Sequence, residues 1–134
     1  MATQLSEKAR AFLQGRRFAV LGTLNADGSP QLTTMWYLLE DDTIVMNTKI
    51  GRLKDRNLRR DPRISVCVPD GYSYVTVTGT AELIDDPQIA QYDIYRLATR
   101  YDGEESAKQQ MEGHFAQEPR ETIHLKIQHV IEHF

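Results

Sequence analysis

A chain of 134 residues with 40% hydrophobic and 26% charged side chains can bury a usable core and does not read as disordered. Its 16 Lys+Arg and 19 Asp+Glu leave a formal net charge of −3, which argues against a surface built broadly for nucleic acid. One cysteine excludes an internal disulfide, and no apolar run approaches the ~18 residues that a spanning helix needs.

The first stretch, "MATQLSEKARAFLQG", is charged and amphipathic rather than built like a signal peptide, so a cytoplasmic protein is expected. Within it Ser6 is an N-cap for a short helix, with Ala9, Phe12 and Leu13 on one face and Gly15 at its end. The period then becomes that of strands. "RFAVLGTL" (17–24) and "PQLTTMWYLL" (30–39) flank "NADGS", whose Asp27-Gly28 pair predicts a hairpin. "EDD" turns the chain into "TIVMNTK" (43–49), and a short helix over 51–61 stops at Pro62. "RISVCV" (63–68) is a strand in which Cys67 reads as a small buried hydrophobe, and "PDG" leads into "YSYVTVTGTAELI" (72–84). From Asp86 the pattern is helical through "PQIAQYDIYRLATRY" and "EESAKQQMEGHF", with Pro87 in a first turn. After Pro119 a last strand alternates at Ile123, Leu125 and Ile127. No repeat or linker interrupts residues 1–134, which read as a single domain. Six strands, one short helix and one longer helical excursion predict a mostly β, α+β fold, a small antiparallel barrel with flanking helices.

The familiar catalytic signatures are absent: there is no GxGxxG, Walker loop, HExxH or GxSxG. His114, His124, His129 and His133 have no ligand spacing, so no metal is assigned. Asp41-Asp42 and Asp85-Asp86 fall at turns, where carboxylates do turn chemistry.

The positive charge is concentrated instead. "TKIGRLKDRNLRRDPR" (48–63) holds seven of the basic residues and two of the acidic ones, which leaves 9 basic against 17 acidic elsewhere. On a helix Arg52, Arg56 and Arg59 share one side, while Leu53, Lys54, Asn57 and Leu58 share the other. The leucines should face the barrel and carry Lys54 and Asn57 to its rim. There a lysine either meets an anion or snorkels out to water. "VMNTKIGR" runs from a strand through Gly51 into a helix start, where free N–H groups and the helix dipole favour an anion. Asn47, Thr48, Lys49, Arg52 and Lys54 can close around it, and a phosphate wants such a set of donors and charges.

The segments "DGSPQLTTMWY", "K-x-x-N-L-x-x-D-P-R" (54–63) and "GYSYVTVTGTAEL" resemble the pyridoxamine 5′-phosphate oxidase-like FMN-binding split-barrel superfamily. Within it the chain is most similar to the branch using the deazaflavin coenzyme F-420, from about residue 10 to 84 and again over 121–133. The resemblance implies a homodimer of six-stranded split barrels with two cofactor sites at the subunit interface. It places the cofactor phosphate at Asn47, Thr48, Arg52 and Lys54. It lays the ring against Thr33, Thr34, Met35 and Trp36, and brings Tyr72, Ser73 and Tyr74 from the other subunit. Arg56, Arg59 and Arg60 are then available to the acidic polyglutamate tail of F-420. Apolar residues on both faces of "YVTVTGTAELI" also favour a second copy.

Two departures separate this chain from pyridoxamine phosphate oxidases proper. Their phosphate motif has a basic pair where Leu53-Lys54 stands here, and their Arg-rich C-terminal segment has no counterpart after "VIEHF". Pyridoxamine phosphate oxidation is therefore not the expected reaction. The expected one is hydride transfer from reduced F-420 to a small unsaturated or conjugated organic substrate. Trp36, Met35 and Tyr72 serve either as walls of that site or as core packing. Three alternatives stand beside it: an FMN-dependent reductase or oxidase, a protein that holds a flavin, deazaflavin or tetrapyrrole without turnover, and a barrel for single-stranded nucleic acid. The last is opposed by the negative net charge and by basic residues confined to one helix. No membrane or nucleic-acid partner is expected.

Overall fold

The computed structural model describes residues 5–134. Helix α1 (Glu7–Gln14) is capped by Ser6, whose side chain accepts from the Ala9 N–H at 3.0 Å. Strands β1 (Ala19–Leu24) and β2 (Pro30–Met35) form the predicted hairpin, with Gly28 at φ 86° in its turn. Then follow β3 (Leu38–Glu40), β4 (Thr43–Lys49), α2 (Leu53–Arg60), β5 (Arg63–Asp70) and β6 (Ser73–Ile84). Helices α3 (Pro87–Asp102) and α4 (Glu104–Gly113) and a 3₁₀ turn (Phe115–Gln117) precede β7 (Arg120–His133). Asp86 caps α3, and Pro87 occupies its first turn as predicted. Among the described residues no helix is long and apolar enough to cross a membrane.

All seven strands join one antiparallel sheet in the order β2-β1-β5-β6-β7-β4-β3. The expected six become seven because "PQLTTMWYLL" is not one strand. Trp36 leaves the ladder to stack on Tyr101, with ring centroids 5.4 Å apart and planes 7° apart. Tyr37 turns fully inward and donates its hydroxyl to Leu13 O at 2.7 Å. The two halves, β2 and β3, lie at opposite edges of the sheet, although only Trp36 and Tyr37 separate them. A sheet whose outermost strands are joined so closely must curl on itself, and it does so without a ladder closing the gap. Gly79 helps it bend. The β6–β7 register slips between Thr78 and Gly79, and a Cβ on Gly79 would lie 1.9 Å from Lys126 O.

Inside the curl, Leu21, Ile44, Met46, Val66, Val68, Val75, Val77, Ile123 and Leu125 form the core, joined by Leu13 from α1 and Leu58 from α2. Two sequence expectations change here. Leu53 does not face the barrel but is 41% exposed, while Asp55 takes an inward position with Leu58. Cys67 lies on the side of β5 away from Val66 and Val68 and is half-buried rather than buried.

Candidate functional site

The site begins where β4 runs into α2. Residues Ile44, Met46 and Thr48 of β4 face the barrel interior, so Val45, Asn47 and Lys49 face α3. Asn47 is buried there and held from two sides. Its Nδ2 donates to Ala90 O of α3 at 2.9 Å, and its Oδ1 accepts from Arg120 Nε at 2.8 Å. Behind it Thr122 donates to Asp93 of α3 at 2.6 Å. Arg120 thus enters the site from the first residue of β7, opposite Lys49 in the ladder, and its Nη1 donates to Glu118 at 2.6 Å.

The turn itself needs Gly51, whose φ of 98° suits glycine. Its N–H is not free for an anion, as the sequence suggested. It donates to Asp55 Oδ2 at 2.7 Å, the carboxyl reaching back from the third helical position to the residue before the N-cap Arg52.

Arg52, Lys54 and Arg120 line one hollow of about 230 Å³ with Met35, Asn47, Thr48, His114, Phe115 and Glu118. Glu118 is its one carboxylate and is already paired with Arg120. Neither Arg52 nor Lys54 has an ion-pair partner among the described residues. Burial lowers the Lys54 pKa, and the charges of Arg52 and Arg120 lower it further. Arg120 is lowered too, by burial first and by Arg52, against the opposing pull of Glu118. Three cations around one carboxylate leave the hollow short of negative charge. Next to it, sharing Met35, Asn47, Phe115 and Arg120, lies a hollow of about 200 Å³ walled by Thr34, Trp36, Ile94 and Leu97. The cleft is thus cationic at one end and apolar at the other.

Of the residues singled out in the sequence, Thr34, Met35, Trp36, Asn47, Thr48, Arg52 and Lys54 come together in this cleft. Thr33 pairs with Leu21 and falls on the core-facing side of β2 instead. Lys49 is half-buried beside the cleft without lining it. Asn57 is fully buried, and its amide donates to Thr23 at 3.1 Å and Asn25 at 3.0 Å, so it ties α2 to β1 rather than meeting a ligand. Arg59 pairs with Asp55 and Glu121, and Arg60 donates to Leu24 O and Asn57, so neither is loose for a polyanionic tail. Tyr72, Ser73 and Tyr74 sit at the β5–β6 turn and do not line this chain's cleft; Tyr72 is 96% exposed there. Sequence reading missed Arg120, Phe115 and His114. They follow a helical excursion, and only the fold brings them back to β4. No group of His, Cys, Asp and Glu among the described residues could hold a metal.

A curled antiparallel sheet with a cleft that is cationic at one end and apolar at the other, at one strand-to-helix turn, defines the architecture, and comparison gives it a family. The chain belongs to the pyridoxamine 5′-phosphate oxidase family, whose model matches residues 5–134. A curated relative, the F420H(2)-dependent biliverdin reductase of Mycobacterium tuberculosis (strain CDC 1551 / Oshkosh), is 31% identical over 101 residues, 74% of each chain. Among solved structures, a conserved hypothetical protein from Mycobacterium tuberculosis superposes with a TM-score of 0.81 at 27% identity, covering 98% of this chain and 85% of that one. An F420 Reductase superposes with a TM-score of 0.75 at 25% identity, covering 95% and 98%.

Proposed function

We propose that the protein is an oxidoreductase that passes a hydride from a reduced deazaflavin, coenzyme F-420, to a small unsaturated or conjugated organic substrate. The observation that carries this reading is the positive charge of Arg52 and Lys54, which no carboxylate pairs, beside Arg120 at the end of an apolar hollow. The relatives named for F-420-dependent reduction, at 31% and 25% identity, support it. FMN, with the same phosphate-and-ring outline, is the alternative cofactor.

The chain's own residues have distinct tasks in this scheme. Arg52, Lys54 and Arg120 neutralise the phosphate. Asn47 keeps the Arg120 fork aimed by accepting from its Nε. Trp36, Met35, Ile94, Leu97 and Phe115 exclude water along the ring and fix its plane. When bound, a reduced deazaflavin supplies the hydride itself, so the protein's contribution is position, charge and dryness.

The reading includes a second copy of the chain. The outer face of the sheet has a hollow of about 420 Å³ lined by Gly22, Leu24, Pro30, Leu32, Ser65 and Thr78 among others, with Arg63 its one charged residue. Leu32 and Ile131 are more than half exposed. A homodimer seated there would cover this surface and could bring Tyr72, Ser73 and Tyr74 toward the other chain's cleft.

The reading is tested by anaerobic turnover: reduced F-420 is mixed with the protein and a conjugated acceptor, biliverdin serving as the probe. Acceptor-dependent oxidation of F-420 is expected. Tight binding of F-420 with no oxidation by any conjugated acceptor would leave a carrier protein in place of an enzyme.

A further inference from the structure

Beneath the β4–α2 turn lies a second group of charges that the cleft does not use. Glu121 is fully buried on the core side of β7, opposite Thr48 in the ladder. Its Oε2 accepts from Arg59 Nη2 at 2.7 Å, whereas its Oε1 is buried with no donor to it. Asp55 of α2, 2% exposed, shares Arg59 with it. One Asp55 oxygen accepts from Arg59 Nε at 2.7 Å, and the other accepts from the Gly51 N–H at 2.7 Å.

Two buried carboxyls against one guanidinium leave one negative charge too many. Burial, reinforced by the Asp55 carboxyl, pushes the Glu121 pKa up to about 8. Burial pulls Asp55 up as well, but hydrogen bonds with Glu121, the Gly51 N–H and Arg59 together hold it below its ordinary value. At neutral pH Glu121 therefore keeps its proton, in a hydrogen bond between its carboxyl and that of Asp55. The other groups around the pair do not replace that proton. Arg59 is the one cation facing it and is also pulled on by Asp85, beyond β6. From β4 the neighbour in the ladder is the uncharged Thr48. Arg52, Lys54 and Arg120 line the cleft on the other side of the turn.

We propose that Asp55 and Glu121 share one proton and that Glu121 is a positioning residue for the anion held at the β4–α2 turn, its ionisation loosening the turn and weakening that anion. Asp55 fixes Gly51, and Gly51 sets where Arg52 and Lys54 leave the backbone. When Glu121 ionises, Asp55 loses its donor, and a second negative charge appears beneath a turn that must hold a phosphate. By linkage, a bound anion makes Glu121 hold its proton more tightly, so binding near pH 8 takes up a proton. This inference rests on the cleft holding a phosphate, as proposed above.

The test is calorimetric titration of the full chain with F-420 and with FMN at about pH 7 and about pH 9, in buffers of different ionisation heat. The affinity of the native protein should fall roughly fivefold or more between the two, with proton uptake on binding. Glu121→Gln keeps a neutral donor facing Asp55, so it should bind as the native protein does at pH 7. It should lose most of the fall and of the uptake. Lys54→Ala, measured in parallel, separates the two claims. If Lys54→Ala leaves affinity unchanged, the cleft reading fails and the anion half of this inference fails with it. If Lys54→Ala weakens binding while Glu121→Gln has the native pH profile, this inference alone is overturned. Infrared titration of the ligand-free native protein needs no variant: a protonated carboxyl C=O band lost near pH 8 supports the shared proton, and no such band at pH 7 overturns it.

Discussion

At Arg120 the distance between sequence and site is clearest. Its side chain is 9% exposed and already carries Asn47 and Glu118, yet it lies in the same hollow as Arg52 and Lys54. Arg120→Met keeps the apolar stem and removes the charge. Losing one charge-assisted contact of this kind costs about 1.5–3 kcal/mol, so cofactor affinity should fall roughly tenfold to a hundredfold. Fluorescence quenching measures this, and an unchanged dissociation constant in a folded variant would remove Arg120 from the site. Asn47, Thr48, Arg52 and Lys54 were legible because they share one local turn, where a strand period gives way to a helix period. Arg120 and Phe115 carry no local signal, since the helices α3 and α4 come between them and that turn in the chain. Asn57 was misplaced for the opposite reason. A helix face shows which way an amide points, but not that Thr23 and Asn25 wait there for it.

Among the elements, the strands and helices fell close to where period and caps put them, with one break that period alone could not show. "MWY" continues an apolar run, yet Trp36 and Tyr37 leave the ladder because Tyr101 and Leu13 offer them better partners than a strand neighbour. That break lets one piece of chain serve both edges of the sheet and stands Trp36 at the apolar end of the cleft. The curl depends as well on Gly79, where the strand bulges against backbone. Gly79→Ala would press a methyl onto Lys126 O, and overpacking of this sort costs typically about 1–3 kcal/mol. Urea unfolding should show that loss. A variant as stable as the native protein would mean that the bulge relaxes freely.

The charge of the whole molecule is distributed in keeping with its proposed work. Most of it is negative, while the β4–α2 turn and the first residue of β7 bring Arg52, Lys54 and Arg120 to one cleft. Of the arginines that seemed free for an acidic tail, Arg59 and Arg60 are tied into the fold, and Arg56 stays exposed with no partner among the described residues. The apolar outer sheet face implies that light scattering will find about twice the chain mass of 15.4 kDa. A monomer that still binds cofactor tightly would contradict the dimeric reading. Whether Arg52, Lys54 and Arg120 hold the phosphate of a ring-bearing cofactor is decided by titrating native protein and Lys54→Ala with F-420 and with FMN over a range of salt. Lys54→Ala should weaken both ligands roughly tenfold to a hundredfold. The native protein should bind F-420 more tightly than FMN at low salt, with the gap narrowing as salt screens the tail at Arg56. FMN tighter than F-420 at every salt concentration would replace the deazaflavin with the flavin. Equal binding by Lys54→Ala and the native protein would contradict the cleft itself.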